Sequence, residues 1–98
     1  MVLCSVFSDE PFETRLRLAL RSTSAKALVA LFGELTGEVP SPRRDARMAR
    51  VALELAEQAG GREAERWFLT GYSYARTARD PEVRARAERL RERFGSWW

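Results

Sequence analysis

Ser41 to Gly61 reads Ser-Pro-Arg-Arg-Asp-Ala-Arg-Met-Ala-Arg-Val-Ala-Leu-Glu-Leu-Ala-Glu-Gln-Ala-Gly-Gly, and the period of its apolar residues decides the fold. Ser41 offers a capping hydroxyl, and Pro42 suits the first helical position, where no N–H is needed. Met48, Val51, Ala52, Leu55 and Ala59 then recur at three- and four-residue spacing, which predicts one buried stripe on a helix from Pro42 to about Ala59. Ala46, Ala49 and Ala56 are small enough to admit a neighbouring helix. Gly60 and Gly61 end the segment.

The same punctuation recurs on either side. Upstream, Ser8 and Pro11 mark a helix from about Asp9 to Leu20, with Phe7 and Phe12 placed as a hydrophobic staple. Phe12, Leu16, Ala19 and Leu20 form its stripe. Ser22, Thr23 and Ser24 read as a break and a new cap, and a single bent helix through them is the alternative. Leu28, Leu31, Phe32 and Leu35 carry the next helix, from about Ala25 to Thr36, closed by Gly37 and Pro40. Downstream, Ala64, Trp67, Phe68, Gly71, Ala75 and Ala78 share a face of a helix from about Arg62 to Ala78. Asp80 and Pro81 start a fifth helix by the same cap-then-proline logic, and Val83, Ala87, Leu90 and Phe94 form its narrow seam. Gly95 stops it.

Short connections force consecutive helices to pack antiparallel. The expectation is therefore an all-α single domain over residues 1–98, a compact bundle of about five antiparallel helices or a short stack of helical hairpins. Residues 1–7 are an extended N-terminal arm and 96–98 a C-terminal tail.

Ala64, Trp67, Thr70, Gly71 and Tyr74 are spaced in a way that resembles the first helix of a tetratricopeptide repeat. The resemblance covers one hairpin, about Ala64 to Gly95. Thr70 stands where that family prefers leucine, Val83 where it has a small residue, Ala87 where it has an aromatic and Gly95 where it has a closing proline. The resemblance implies a protein-interaction module, with Gly71 letting the hairpin's second helix approach closely. By position it implies a concave groove faced by Glu65, Phe68, Tyr72, Ala75 and Arg76. Apart from any family, Phe68, Tyr72 and Arg76 are four residues apart and stack along one helix line. Aromatics with arginine are the mix enriched at binding hot spots. The competing reading places Phe68 in the core and Tyr72 half-buried, with Arg76 solvated.

Composition narrows the chemistry. The chain has 98 residues, 17 basic and 14 acidic, with net charge +3 and no histidine. Through residue 42, five acids meet four bases, and the remaining residues carry the surplus of +4. Lys26 is the one lysine; the other bases are arginine. Without histidine, acid–base catalysis would need a carboxylate pair with perturbed pKa values. Glu63 and Glu65 point to different sides of their helix, and Glu88 and Glu92 have Arg84 and Arg89 close by. Cys4 is the sole cysteine and has no base near it, so no disulfide, metal site or activated thiol is expected. Gly60-Gly61 lacks the lysine and spacing of a phosphate loop. The expectation is no enzyme, no cofactor and no metal. The short apolar start and the absence of a long apolar run predict neither a signal peptide nor a membrane span, and a cytoplasmic setting follows.

The candidate contact residues are thus Phe68, Tyr72 and Arg76; Arg43, Arg44 and Arg47; and the terminal Trp97 and Trp98. Arginine at a helix start opposes the helix dipole, so Arg43 and Arg44 need another reason to be there. A phosphate, an acidic partner, or ion pairing with Glu34 and Glu38 would each supply one. Trp97 and Trp98 either cap the open end of the core or insert into a partner. The expected function is a non-enzymatic helical module that binds a protein partner or a second copy of itself. The alternative is a small nucleic-acid-associated protein using the same arginines on phosphates.

Overall fold

The computed structural model describes residues 10–21 and 25–94. Five helices run through them: α1 (Glu10–Arg21), α2 (Lys26–Thr36), α3 (Pro42–Gln58), α4 (Gly61–Thr77) and α5 (Pro81–Phe94). Among the described residues there is no strand. The all-α bundle and its helix boundaries agree with the spacing to within a residue or two. Arg21 ends one helix and Lys26 begins another, so α1 and α2 are separate elements. The arm, the Ser8 cap, Cys4, the Ser22–Ser24 break, Gly95 and the tryptophan tail lie outside the described residues.

The caps follow from side chains already visible in the sequence. Ser41 Oγ accepts from the Arg44 N–H at 3.0 Å, and Pro42 fills the first helical position. Asp80 Oδ1 accepts from the N–H groups of Glu82 and Val83 at 3.0 and 3.2 Å. Each satisfies backbone donors that a helix start leaves without an intrahelical partner. Gly37 closes α2 with right-handed backbone (φ −84°); its N–H turns back to the Glu34 carbonyl and the Glu38 N–H to the Leu35 carbonyl. The left-handed conformations fall elsewhere, at Gly61 (φ 59°) and Arg79 (φ 56°). At Gly61, which opens α4, the absence of a Cβ makes that conformation inexpensive.

The helices form a row in which each packs on its chain neighbours and α3 also touches α5. The result is elongated, 48 × 29 × 21 Å. Its centre is α3, which is buried on two sides rather than along one stripe. Met48, Val51 and Leu55 enter a core with Phe12, Leu16 and Ala19 of α1 and Leu28, Leu31 and Leu35 of α2. Ala49, Leu53 and Ala56 enter a second core with Ala64, Phe68 and Ala75 of α4 and Val83, Ala87, Leu90 and Phe94 of α5. Trp67 and Tyr74 border both cores, and Phe32 meets Trp67 edge-on at 5.2 Å and Tyr74 at 6.2 Å.

The most extensive helix contact is between α3 and α4. A Cβ on Gly71 would lie 2.8 Å from Leu53 Cδ2, 2.9 Å from Leu53 Cγ and 3.2 Å from the Leu53 backbone nitrogen. The glycine therefore accommodates the preceding helix, α3, not the following helix that the repeat resemblance implied. Leu53 itself is fully buried and fills the space where that side chain would stand.

Two glycine substitutions should therefore have opposite signs. Both gain the helix propensity of alanine, roughly 1 kcal/mol. At Gly33 an added methyl would meet nothing within 4 Å, so Gly33→Ala should stabilise the fold in a urea titration. Gly71→Ala forces Leu53 or α3 itself to move, and overpacking of that kind costs about 1–3 kcal/mol, so the net change should be a loss.

Candidate functional site

With two faces of α3 buried, its remaining side is a strip of Arg43, Arg47, Arg50, Glu54 and Glu57, spaced four, three, four and three apart. Side chains at that spacing lie on one line of a helix. The strip runs between α1 and α5, and cross-helix ion pairs join it to both. Arg50 takes both carboxylate oxygens of Glu13 on α1, one of them at 3.1 Å. Arg86 on α5 reaches Glu57 through Nε at 3.0 Å and takes Glu54 as well. For Arg50 the hydrogen bond with Glu13 outweighs burial and holds the guanidinium above its ordinary value. Burial of Arg86 works in the opposite direction, but its bonds to Glu57 and Glu54 overcome it and the net shift is again upward. Both groups stay charged throughout the ordinary pH range.

The amino-terminal part of the strip opens into a cleft of about 550 Å³ between the start of α3 and the turn from α4 to α5. Arg43, Arg47 and Arg50 line it from α3, and Arg79, Asp80 and Glu82 from the turn and the start of α5. A second cleft of about 530 Å³ shares Arg50, Asp80 and Glu82 and adds Glu13, Arg86 and Arg89. The two are parts of one groove. Four guanidiniums meet two carboxylates in the first part, and one of those carboxylates, Asp80, is engaged in capping α5. By its lining residues the first part is the more basic of the two, with Arg50 paired to Glu13 and Arg47 to Glu38. The guanidiniums of Arg47 and Arg50 also lie 5.4 and 5.5 Å from the centre of the Phe12 ring, which fixes their stems against α1.

Arg43 and Arg47 both belong to this cleft, while Arg44 does not. Its guanidinium folds back to the Glu38 carbonyl at 3.2 Å and to Asp45 at 3.5 Å. The expected pairing of the cluster with Glu38 is present for Arg47, at 3.8 Å. Glu34 pairs instead with Arg15 of α1.

The second expected surface needs a correction. Phe68 is fully buried, stacked on Phe94 at 5.1 Å, and cannot contact a partner. Ala75 is buried as well, so the groove implied by the repeat resemblance is closed at both positions. Position 68 lies on the core side of α4 because α5 crosses there. Tyr72 and Arg76 do share a small depression of about 140 Å³ with Arg84 and Glu88. The Tyr72 hydroxyl donates to Glu88 at 2.9 Å across it. Trp97 and Trp98 lie outside the described residues.

Among the arginines that line the cleft, Arg79 is the one that sequence spacing did not single out. Arg50 was legible as the next member of the Arg43/Arg47 line. Arg79 had only one signal, its place just past the end of a helix, where glycine is the common choice.

Among the described residues, no three His, Cys, Asp or Glu side chains come together as a metal site, and no helix is long and apolar enough to cross a membrane. No family model matches the chain, and neither a curated protein nor a solved structure matches it. What the groove offers chemically is a set of guanidiniums held in a concavity, able to take an anion in charge-assisted hydrogen bonds.

Removing Arg86 should show how far the ion pairs hold α5 to α3. Arg86→Ala leaves Glu54 and Glu57 facing each other without their shared cation. The pairs are partly exposed, so the expected loss is about 1 kcal/mol in a urea titration. A double-mutant cycle with Glu57→Gln should return a coupling of about 0.5 kcal/mol, reduced by added salt.

Proposed function

We propose that this chain is a non-enzymatic helical interaction module that binds an acidic segment of a partner protein in the cleft between α3 and the α4–α5 turn. The observation that carries the proposal is the convergence of Arg43, Arg47 and Arg50 from one helix and Arg79 from a separate turn on one concavity. Guanidiniums brought together from different elements recognise acidic motifs by forked hydrogen bonds. The reading of residues 64–95 as a tetratricopeptide-like hairpin belongs to this proposal only as an interaction module, since the cleft lies apart from the groove that resemblance implies. A cytoplasmic setting belongs to it too, supported by the single cysteine, which leaves no disulfide within the chain.

The rival occupant is nucleic acid. A strand would lay successive phosphates along the groove, and beyond Arg50 it would meet Glu13 and Glu82, with Arg86 already committed to Glu54 and Glu57. A uniform basic track is what phosphate backbones require. This groove is basic only at one end.

Fluorescence anisotropy separates the two. A labelled peptide rich in Glu and Asp should bind, and Arg43→Glu combined with Arg47→Glu should weaken it by about 10-fold or more. Generic DNA and RNA oligonucleotides should bind more weakly than the peptide at every salt concentration. Tighter binding of either oligonucleotide, or peptide binding indifferent to the double substitution, would overturn the proposal.

A further inference from the structure

The first two helices leave an apolar depression of about 340 Å³ between them on the surface, floored by Leu18 and Ala19 of α1 and by Ala27, Ala30 and Leu31 of α2. Leu18 stands at its edge with 61% of its surface exposed. Val29, Ala30 and Gly33 are exposed as well, so α2 turns an almost uncharged side outward. The fifth helix does the reverse and fills most of its exposed positions with Arg and Glu. A single exposed leucine needs no explanation, but a leucine beside an apolar depression and an uncharged helix side makes a patch that water covers poorly.

The charges at its two ends say what covers it. At one end Arg15 and Glu34 pair across the groove, and Glu34 keeps 58% of its side chain exposed. A carboxylate accepts at several lone-pair positions, so Glu34 has room for a second cation. At the other end Arg21 closes α1, one turn past Leu18 on the same side of the helix. Arg21 is exposed and makes no ion pair or hydrogen bond among the described residues. An uncommitted cation and an acid able to take one thus lie at opposite ends of the same apolar groove. The surface carries its own complement, reversed end for end.

We infer that two copies of this chain associate through the α1–α2 groove as a two-fold dimer. In such an interface the same patch is used on both copies and every contact occurs twice. An axis passing near Leu18 and Ala30 sets Arg21 of each copy against Glu34 of the other. It also lays Leu18 of each copy over Ala27 and Ala30 of the other, where the small side chains leave space. The apolar contact supplies the driving force, and the two charge pairs at the ends fix the register. The inference goes beyond the acidic-segment reading and does not depend on it, because no residue of this groove lines the arginine cleft.

Light scattering of the full chain over a concentration series tests it, and the expected mass is that of a dimer, falling towards the monomer on dilution. Leu18→Glu should weaken association by at least about 10-fold. Leu18 lies outside the core, so the helical circular dichroism of that variant should be unchanged, which separates a lost interface from a lost fold. Arg21→Glu and Glu34→Arg should each impair self-association, because each sets like charges against one another across the axis. An equimolar mixture of those two variants should recover the dimer, since both cross-axis pairs are then opposite in sign. A monomer at every concentration would overturn the proposal, as would a dimer indifferent to Leu18→Glu. A mixture of the charge variants that stays monomeric would overturn the pairing of Arg21 with Glu34 and the two-fold arrangement with it.

Discussion

A helix of 17 residues that must bury two separate apolar faces has little circumference left, and the rest of this molecule follows from how α3 meets that demand. Met48, Val51 and Leu55 look towards α1 and α2, while Ala49, Leu53 and Ala56 look towards α4 and α5. Each fully buried aliphatic side chain of this size contributes about 1.5–3 kcal/mol of transfer free energy. The alanines contribute less by area and more by thinness, because they let α4 come close. Gly71 completes that approach from the other side, with Leu53 lodged over it. Without the small residues the two cores would be held apart, and the row of helices would lose its axis.

The electrostatics are what remains of α3 after its two cores are assigned. Its polar strip is narrow and lies in the valley between α1 and α5, so every long charged side chain on it has neighbours on both sides. Towards the carboxyl end, acids on the strip meet Arg86. In the middle, Arg50 meets Glu13. At the amino end Arg47 meets Glu38, and Arg43, Arg47 and Arg79 line the open cleft. Screening by solvent is weaker in a concavity than on a convex surface, so the same charges attract an anion more strongly there.

Much of the fold was legible because helical period and end signals agree with one another in this chain. Ser41-Pro42 and Asp80-Pro81 start helices by the mechanism their residues suggest, and the stripes of α1, α2 and α5 are buried as spaced except at Leu20, which is exposed, and Phe32, which is half-buried. The limits are physical. Apolar spacing places Phe68 on a line with Tyr72 and Arg76, but a line of side chains four apart drifts around the helix. Only the position of α5 decides that Phe68 faces inward, Tyr72 lies at the edge and Arg76 reaches water. Gly71 was legible as a point of close approach, yet which helix approaches is a tertiary fact. Leu53 escaped the single-stripe reading because that reading allowed α3 one buried face. Arg79 escaped because a residue's backbone conformation in a turn leaves no periodic trace.

The cleft is where the sequence departs twice from what local stability favours. Arg43 and Arg44 occupy the first turn of α3, where the helix dipole disfavours cations by a few tenths of a kcal/mol to about 1 kcal/mol each. Arg44 recovers something by folding back to the Glu38 carbonyl and Asp45. Arg79 occupies a left-handed position that glycine would fill with less strain. Arg43 and Arg79 lie far apart in sequence and belong to different elements, and both line the same concavity, while Arg44 does not. Conflicts between local preference and global structure collect at functional sites, because selection for folding alone would have removed them. A solvated charged face would scatter such conflicts over the surface. That Arg43 and Arg79 line one cleft is what supports the proposal that the arginines there form half of an interaction.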